Sequence, residues 1–130
     1  MNFPANLLYT QDHEWISVSS NGASALIGVT QYAVEQLGDI VHLDLPKVGA
    51  KFDAGASFGT IESTKTVSDL YLPVSGTVSK INDTLKNALE NLQKDSYEKN
   101  FLIEISLAGA VDKSKLLNAD QYRKLVEENS

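Results

Sequence analysis

The sequence consists largely of short apolar segments separated by turn-forming residues, and this pattern constrains the fold most. Phe101, Ile103 and Ile105 recur at every second position, which is the period of a half-buried strand. Asn21-Gly22 separates two other such segments, and Asn-Gly favours a β-hairpin because a type I′ turn needs positive φ at both central residues. Many short strands joined in this way are typical of a small sandwich or a flattened barrel. The sequence therefore predicts a mainly β fold.

Alternation and turn signals place the expected strands along most of the chain. In one of them, Val41, Leu43 and Leu45 are predicted to share a buried face. The pattern Leu-Pro-x-x-Gly occurs twice, as Leu45-Pro-Lys-Val-Gly49 and as Leu72-Pro-Val-Ser-Gly76. This internal echo is consistent with a fold of two similar halves. The expected strands cover residues 15–19, 24–29, 40–45, 57–63, 70–74, 77–81 and 101–105.

Capping residues predict two helices with defined ends. Thr30 is a good N-cap and Gly38 a good C′ residue, so a short helix is expected between them. Asn118-Ala-Asp-Gln121 resembles a capping box. The helix that it begins is expected to run to about Glu127.

Leucines at helical spacing predict a further helix in the segment 82–100. Leu85, Leu89 and Leu92 lie at i, i+4 and i+7, and no proline interrupts them.

Length and composition limit the classes of function. The 130 residues are expected to form one domain, 1–130, with a core at about 9–107 and a C-terminal helical segment at about 112–128. The absence of cysteine excludes disulfides, thiolate metal sites and cysteine nucleophiles. The net charge of -6 disfavours nucleic-acid binding, and no apolar run is long enough to span a membrane. Since the first residues carry no targeting signal, a location in the bacterial cytoplasm is expected.

Lys65 is the residue that most resembles a chemical handle. It lies midway between two apolar segments, and its neighbours Thr64 and Thr66 carry no competing amine or thiol. The segment lacks the Gly or Asn of a standard tight hairpin, so its turn is not optimised for folding alone. Taken by itself, a lone lysine at a turn is more often only a solvated side chain.

The other candidates give a poor case for an enzyme. The only histidines are His13 and His42, and the sequence lacks the ligand spacing of a metal site. His42 is expected to be exposed, and His13 to form a polar pair with Glu14 beside a buried indole. Glu62 and Asp69 have the chemistry for acid–base catalysis, but nothing in the sequence brings them together. No nucleophile elbow or phosphate-binding loop occurs.

Two groups of residues resemble a known family. The first comprises His13-Glu14-Trp15, Gly28-Val29-Thr30, Leu37-Gly38-Asp39-Ile40-Val41 and Asp44-Leu45-Pro46, and the second is Glu62-Ser63-x-Lys65-x-x-Ser68-Asp69. They resemble the H proteins of the glycine cleavage system, and the resemblance extends from about Tyr9 to the final helix. It implies a lipoyl/biotinyl-like hammerhead fold of two packed antiparallel sheets, with Lys65 at a hairpin tip and a helix at the C-terminal end.

The resemblance also implies a chemistry. Lys65 would carry lipoic acid in amide linkage, while Thr64 and Thr66 stand where a biotin carrier usually has methionines, which argues against biotin. The arm would take the aminomethyl group of glycine from glycine decarboxylase (P protein) to aminomethyltransferase (T protein). Dihydrolipoyl dehydrogenase (L protein) would then reoxidise it, and a lipoate ligase or lipoyl transferase would attach it. The chain is therefore expected to be a carrier subunit and not an enzyme.

In this family the loaded arm folds back into a surface cleft, for which the resemblance suggests residues. Glu14 matches a cleft position that faces the amine of the arm, and Asp69 lies near it. Glu62 is a further candidate for the cleft. The histidine common in the cleft of relatives falls at Gln36.

The segment before the last strand departs from the family. Relatives have Pro-Tyr-x-x-Gly-Trp, whereas this chain has Asp95-Ser-Tyr-Glu-Lys-Asn-Phe101, and the loss of these helix breakers is what permits the helix predicted in 82–100. This departure leaves open a divergent H-like protein that relays lipoyl groups to other complexes. A small enzyme that uses the carboxylates, and an interaction module with an unmodified Lys65, are alternatives from other classes.

Overall fold

The strands form two antiparallel sheets. The computed structural model describes residues 3–97, 100–111 and 113–128, so both ends of the predicted domain 1–130 and the start of its 112–128 segment lie outside the described residues. The strands are β1 (Leu8–Tyr9), β2 (Glu14–Val18), β3 (Ser24–Val29), β4 (Ile40–Asp44), β5 (Lys51–Phe52), β6 (Ser57–Ser63), β7 (Val67–Tyr71), β8 (Gly76–Ile81) and β9 (Ile103–Leu107).

Among the described residues, one sheet has six strands and the other three. Their orders are β1-β2-β3-β9-β8-β5 and β4-β6-β7, and the neighbouring strands pair antiparallel. The prediction of a mainly β fold with two antiparallel sheets is confirmed. Both sheets are open, so the molecule is a sandwich rather than a closed barrel.

The hairpin expected at Asn21-Gly22 is present, but its turn is not type I′. Gly22 has a φ of 72°, whereas Asn21 is not among the residues with positive φ. Instead, the Asn21 side-chain oxygen accepts hydrogen bonds from the Ser19 hydroxyl at 2.7 Å and the Ala23 amide at 3.0 Å. The asparagine therefore closes a longer loop through its side chain, which is the other way in which this residue type favours turns.

A β-bulge overturns the prediction for the buried face of β4. The register with β6 shifts between Ile40 and His42. Ile40 and Leu43 are buried, whereas Val41 is 49% exposed. The extra residue of a bulge breaks the strict alternation on which the prediction rested. His42 is exposed, as expected.

The predicted helix caps are confirmed. The helices are α1 (Gln31–Leu37), α2 (Asp83–Lys86), α3 (Glu90–Lys94) and α4 (Ala119–Glu128), with a 3₁₀ turn at Lys113–Lys115. Thr30 accepts a hydrogen bond from the Ala33 amide, and Gly38 ends α1 with a φ of 83°. Asn118 and Gln121 bond each other's backbone amides at 2.8 and 2.9 Å, which is a capping box. Within the described ranges, no helix has both the length and the apolarity to cross a membrane.

The prediction of one helix in 82–100 is wrong, because this segment holds two short helices. The Asn82 side chain caps α2, and the Asn87 side-chain amide donates to the Asp83 carbonyl where α2 ends. Asn100 donates to the Asp95 carbonyl beyond α3. Asparagine side chains that bond nearby backbone groups compete with helix continuation. The leucine spacing reflects packing instead, since Leu85 and Leu92 are buried.

Apolar side chains form two clusters. The larger cluster lies between the sheets and includes residues such as Ile27, Ile61 and Ile105. The second cluster is aromatic, and its members, some of them outside the 9–107 range, are Phe3, Leu7, Tyr9, Trp15, Tyr32, Tyr97, Ala119, Tyr122 and Val126. It packs α4 against the six-stranded sheet.

We expect Gly28→Ala to destabilise the protein by about 2 kcal/mol, the usual cost of overpacking. Gly28 lies opposite Trp15 in the β2–β3 register, and a Cβ at position 28 would overlap the buried indole. The indole cannot move freely, because its Nε1 donates to the Ser96 carbonyl at 2.9 Å. Urea denaturation measures the change. Gly109→Ala is the control, since a Cβ there meets nothing within 4 Å; equal stabilities of the two variants would contradict the prediction.

Candidate functional site

Lys65 lies at the exposed tip of the β6–β7 hairpin. The last paired residues are Glu62 and Val67, and the Ser63 amide donates to the Thr66 carbonyl at 2.8 Å. Residues 64–66 are exposed, whereas Ser63 is buried. No carboxylate in the described part of the chain is within ion-pair distance of the Lys65 ammonium. The amine is therefore accessible to a modifying enzyme.

The turn contains no Gly or Asn, and the hydroxyl of Ser63 stabilises it instead. Its Oγ accepts hydrogen bonds from the Lys65 and Thr66 amides, both at 3.2 Å. A serine that bonds the backbone two and three residues on forms a local turn through its side chain. This role of Ser63 was not predicted, although its position two residues before the lysine was a usable signal.

The tip is tied to the turn that follows α1. The Thr64 amide donates to the Asp39 carbonyl at 3.1 Å. A Cβ at Gly38 would stand 3.7 Å from Lys65 Cε and 3.8 Å from Nζ, so the lysine side chain lies beside the end of α1. From α3, the Gln93 amide reaches Asp39 Oδ1 at 3.3 Å. The segment 82–100 is thus close to the lysine in space, although it is distant in sequence.

A cavity of about 330 Å³ lies along α1. Its polar lining includes Asp12, His13, Glu14, Tyr32, Gln36, Ser68 and Asp69. Helix α1 contributes residues from Tyr32 to Leu37 to the wall. Because α1 has only seven residues, it spans roughly 10 Å. Lys65 at one end of this helix and the cavity along it are therefore close neighbours.

The structure brings together two of the three predicted cleft residues. Glu14 from β2 and Asp69 from β7 both line the cavity, as does Gln36. Glu62 is not part of the lining. It lies opposite His42 on β4 and Val67 on β7, in a row across the three-stranded sheet.

Glu14 is a buried carboxyl that is only half satisfied. It is 2% exposed, and its Oε2 accepts a hydrogen bond from the Tyr71 amide at 2.6 Å. Its Oε1 is buried and has no hydrogen-bond partner among the described residues. Burial raises the pKa of Glu14 from 4.5 to about 8, and the Tyr71 amide and the nearby Thr10 hydroxyl oppose that rise. Glu14 can therefore exchange a proton, or take a cation, near neutral pH.

His13 lies in the same wall, where the sequence analysis expected only a polar pair beside an indole. Trp15 is buried, as that expectation requires. The His13 ring lines the cavity, and burial lowers its pKa. Among the described residues, no group of three or more His, Asp or Glu is arranged to hold a metal. The adjacency of His13 to Glu14 was the one available signal for its place in the cavity.

The fold and the site define a class of protein. Two open antiparallel sheets present an accessible lysine at a hairpin tip, close to a cavity with a buried carboxyl. This arrangement is typical of carrier proteins that hold a group on a hairpin lysine.

Comparison with known proteins gives the family. The sequence matches the glycine cleavage H-protein family over residues 7–129. It is 48% identical to the glycine cleavage system H protein of Bacteroides thetaiotaomicron, over 97% of this chain and 98% of that protein. Identity to the Bacillus subtilis H protein is 41%, over 99% and 100%.

A solved structure agrees. The crystal structure of a glycine cleavage system H protein from Mycobacterium marinum matches with a TM-score of 0.83 and 35% identity, covering 97% of this chain and 98% of that one. This chain therefore belongs to the glycine cleavage H-protein family. The prediction of a lipoyl carrier of the glycine cleavage system is thereby confirmed at the level of the family.

We expect Ser63→Ala to loosen the lysine turn. The substitution leaves two amides without their acceptor, which costs about 1 kcal/mol of stability. Hydrogen exchange at the Lys65 and Thr66 amides should become faster. Ser57→Ala, at the other end of β6, is the matched control and should leave both amides as protected as in the wild type. Unchanged exchange in Ser63→Ala would show that its hydroxyl does not hold the turn.

We expect Glu14→Gln to remove a pH dependence of stability. The folded protein keeps the Glu14 carboxyl protonated up to about pH 8, whereas the unfolded chain releases that proton near pH 4.5. The stability that Glu14 contributes is therefore complete below about pH 4.5 and is lost as the pH rises through about 8. Relative to Glu14→Gln, the wild-type free energy of unfolding should fall by roughly 2–4 kcal/mol across this window.

Urea denaturation of both proteins at several pH values measures this difference. Glu62→Gln is the control, because it removes a carboxyl outside the cavity and should follow the wild-type profile. Parallel profiles for wild type and Glu14→Gln would contradict the prediction.

Proposed function

We propose that Lys65 carries lipoic acid in amide linkage and that the cavity beside α1 receives the resulting arm. The observation that carries this proposal is the placement of an exposed lysine at one end of α1, next to a cavity that contains a half-satisfied buried carboxyl. When bound, a lipoyl group supplies a dithiolane that accepts an aminomethyl group and later releases it.

The cavity residues suit the cationic end of such an arm. Glu14 Oε1 lacks a donor, and a protonated amine would supply one in a charge-assisted hydrogen bond. Asp69 adds a second carboxylate at the exposed margin. Glu62 lies outside the lining, so we assign the binding of the amine to Glu14 and Asp69 only.

The other walls of the cavity are apolar and would limit the access of water. Val29, Leu37, Ile61 and Leu70 line it together with the polar groups. All four are buried against the core. A labile group held among these side chains is protected from hydrolysis, because few water molecules reach it.

We propose that the chain acts as a carrier subunit without catalysis of its own. Its partners would be glycine decarboxylase, aminomethyltransferase and dihydrolipoyl dehydrogenase, with a lipoate ligase or lipoyl transferase for Lys65. Tethering raises the local concentration of the carried group at each partner. The bacterial origin of the relatives supports action in the bacterial cytoplasm.

A second function, the relay of lipoyl groups to other complexes, is favoured by one observation. Gln93, in the segment 82–100 that leads into the divergent stretch 95–101, bonds Gly38 and Asp39, the residues beside Lys65. A change of sequence there alters the surface that a partner meets at the lysine. Both functions need Lys65, and they differ in whether glycine decarboxylase accepts the modified protein.

We expect Lys65→Arg to abolish modification while leaving the fold intact. Arginine keeps the positive charge but cannot be acylated under these conditions. Lipoate ligase, lipoic acid and ATP should add the mass of one lipoyl group to the wild type and none to Lys65→Arg, as measured by intact mass. Lys80→Arg, an exposed lysine on β8, is the matched control and should be modified like the wild type.

The same samples separate the two functions. With glycine decarboxylase and labelled bicarbonate, the modified wild type should support exchange of the glycine carboxyl group. A modified protein that supports no exchange but donates its lipoyl group to another acceptor would favour the relay. A wild type that the ligase never modifies would overturn both.

A further inference from the structure

His13 has an unusual backbone that places two consecutive side chains in one cavity. It is the non-glycine residue with positive φ, 66°, among the described residues. Consecutive residues of an extended strand point to opposite faces, so His13 and Glu14 would normally not share a site. The left-handed turn at His13 breaks that alternation, and both side chains line the cavity. Residues with such backbone angles persist only where the surrounding structure holds them, and they cluster at functional sites.

Contacts from three directions hold His13 in this conformation. Its amide donates to the Thr10 carbonyl at 3.2 Å, and its carbonyl accepts from the Thr30 amide at 3.0 Å. Its ring packs against Tyr32, with centroids 4.9 Å apart. From α4, the Tyr122 hydroxyl lies 2.8 Å from His13 Nδ1. The last contact is the only one of these made by the C-terminal helix.

Tyr122 also holds the start of α1. Its hydroxyl is 2.7 Å from Thr30 Oγ1, and Thr30 caps α1 through the Ala33 amide. Tyr122 is fully buried, and its ring stacks on Tyr9 with centroids 4.8 Å apart. One phenol therefore connects the two walls of the cavity, the His13 wall and the α1 wall, without being part of the lining.

We propose that Tyr122 is a positioning residue of the arm cavity, which fixes the His13 imidazole in the wall so that His13 contacts the arm. With Nδ1 engaged by Tyr122, Nε2 is the ring nitrogen that serves a group in the cavity. We assign Tyr122 as the donor to Nδ1 and Thr30 as the donor to Tyr122, which places the proton of the neutral ring on Nε2. This inference rests on the proposed function of the cavity.

The first test uses the unmodified protein and needs no arm. In Tyr122→Phe the ring stacking on Tyr9 is kept and both hydroxyl contacts are lost. We expect the ¹⁵N shifts of the His13 ring to change from one dominant tautomer to a mixture, because Nδ1 loses its partner. Tyr9→Phe is the matched control: it removes a hydroxyl from the same aromatic cluster, one that bonds Pro4 and not the cavity. Identical His13 spectra in wild type and Tyr122→Phe would overturn the proposal.

The same spectra report the pKa of His13, which should rise toward its ordinary value in Tyr122→Phe as the ring becomes hydrated. The titratable groups of the cavity around the ring are Asp12, Glu14 and Tyr32, with Asp69 contributed by β7. Because Tyr9→Phe leaves these groups in place, it should keep the wild-type pKa of His13. A rise of equal size in Tyr9→Phe would mean that general loosening, and not the Tyr122 contact, sets the pKa.

The second test measures protection of the cargo. Lipoylated protein is loaded with glycine decarboxylase and glycine, and the release of formaldehyde is followed after the enzyme is removed. We expect Tyr122→Phe to shorten the lifetime of the loaded protein about fivefold, the effect of one net hydrogen bond. Tyr9→Phe should match the wild type. An unchanged lifetime in Tyr122→Phe would overturn the proposal.

The double variant His13→Asn/Tyr122→Phe tests whether Tyr122 acts through His13. If Tyr122→Phe does not fold, His13→Asn alone tests the role of the imidazole. His13→Asn keeps a residue that tolerates positive φ and removes the imidazole. It should shorten the lifetime as Tyr122→Phe does, and the combination should cost no more than either change alone. Additive losses would overturn the proposal. If the loaded Glu14→Gln variant lives as long as the loaded wild type, the proposed function of the cavity is contradicted. The spectra of the unmodified protein would still decide the role of Tyr122.

Discussion

The carboxyl group of Glu14 joins the two sheets at the place where the cavity forms. Glu14 belongs to β2 of the six-stranded sheet, and its Oε2 bonds the Tyr71 amide at the end of β7 in the three-stranded sheet. Burial of a carboxyl is unfavourable unless its oxygens are hydrogen-bonded, and Oε1 is not, within the described residues. The residue that contacts both sheets thus also carries an unpaired oxygen and lines the cavity. Fold and site share one residue, so a change at Glu14 affects both.

The backbone around Lys65 is held in place, whereas its side chain is exposed. Ser63 and Asp39 hold the backbone of the tip through its amides, while the Lys65 side chain remains exposed. A rigid attachment point reduces the volume that a tethered group explores, and an exposed side chain leaves that group within reach of partners. Helix α1 serves both needs, because the lysine lies beside the turn that ends it and its side forms part of the cavity wall.

Local signals in the sequence predicted much of this architecture, and non-local contacts decided the rest. The caps at Thr30, Gly38 and Asn118 depend on neighbouring residues and were predictable. The internal echo also has a structural counterpart: both copies carry the chain from the three-stranded to the six-stranded sheet, and the strands that they lead to, β5 and β8, pair with each other. The bulge near Val41 and the break of the 82–100 segment arise from register and side-chain bonds that no periodicity encodes. The Tyr122 contact spans 109 positions in sequence and left no local trace, so only its packing role was predictable.

Under the proposed function, the charge state of Glu14 would allow the cavity to distinguish a loaded arm from an empty one. With a pKa of about 8, Glu14 is largely protonated at neutral pH. A neutral disulfide or dithiol does not stabilise its charged form. An amine changes this balance, because an ammonium beside the carboxylate stabilises the charged form that burial disfavours. The proton that Glu14 holds can pass to an incoming neutral amine, and the resulting pair is created inside the cavity without transferring two separate ions from water. The desolvation that makes an isolated buried carboxylate costly is then offset only when the cargo is present. Under the proposed function, selective storage of the loaded arm would follow from the burial of Glu14 and its one unpaired oxygen.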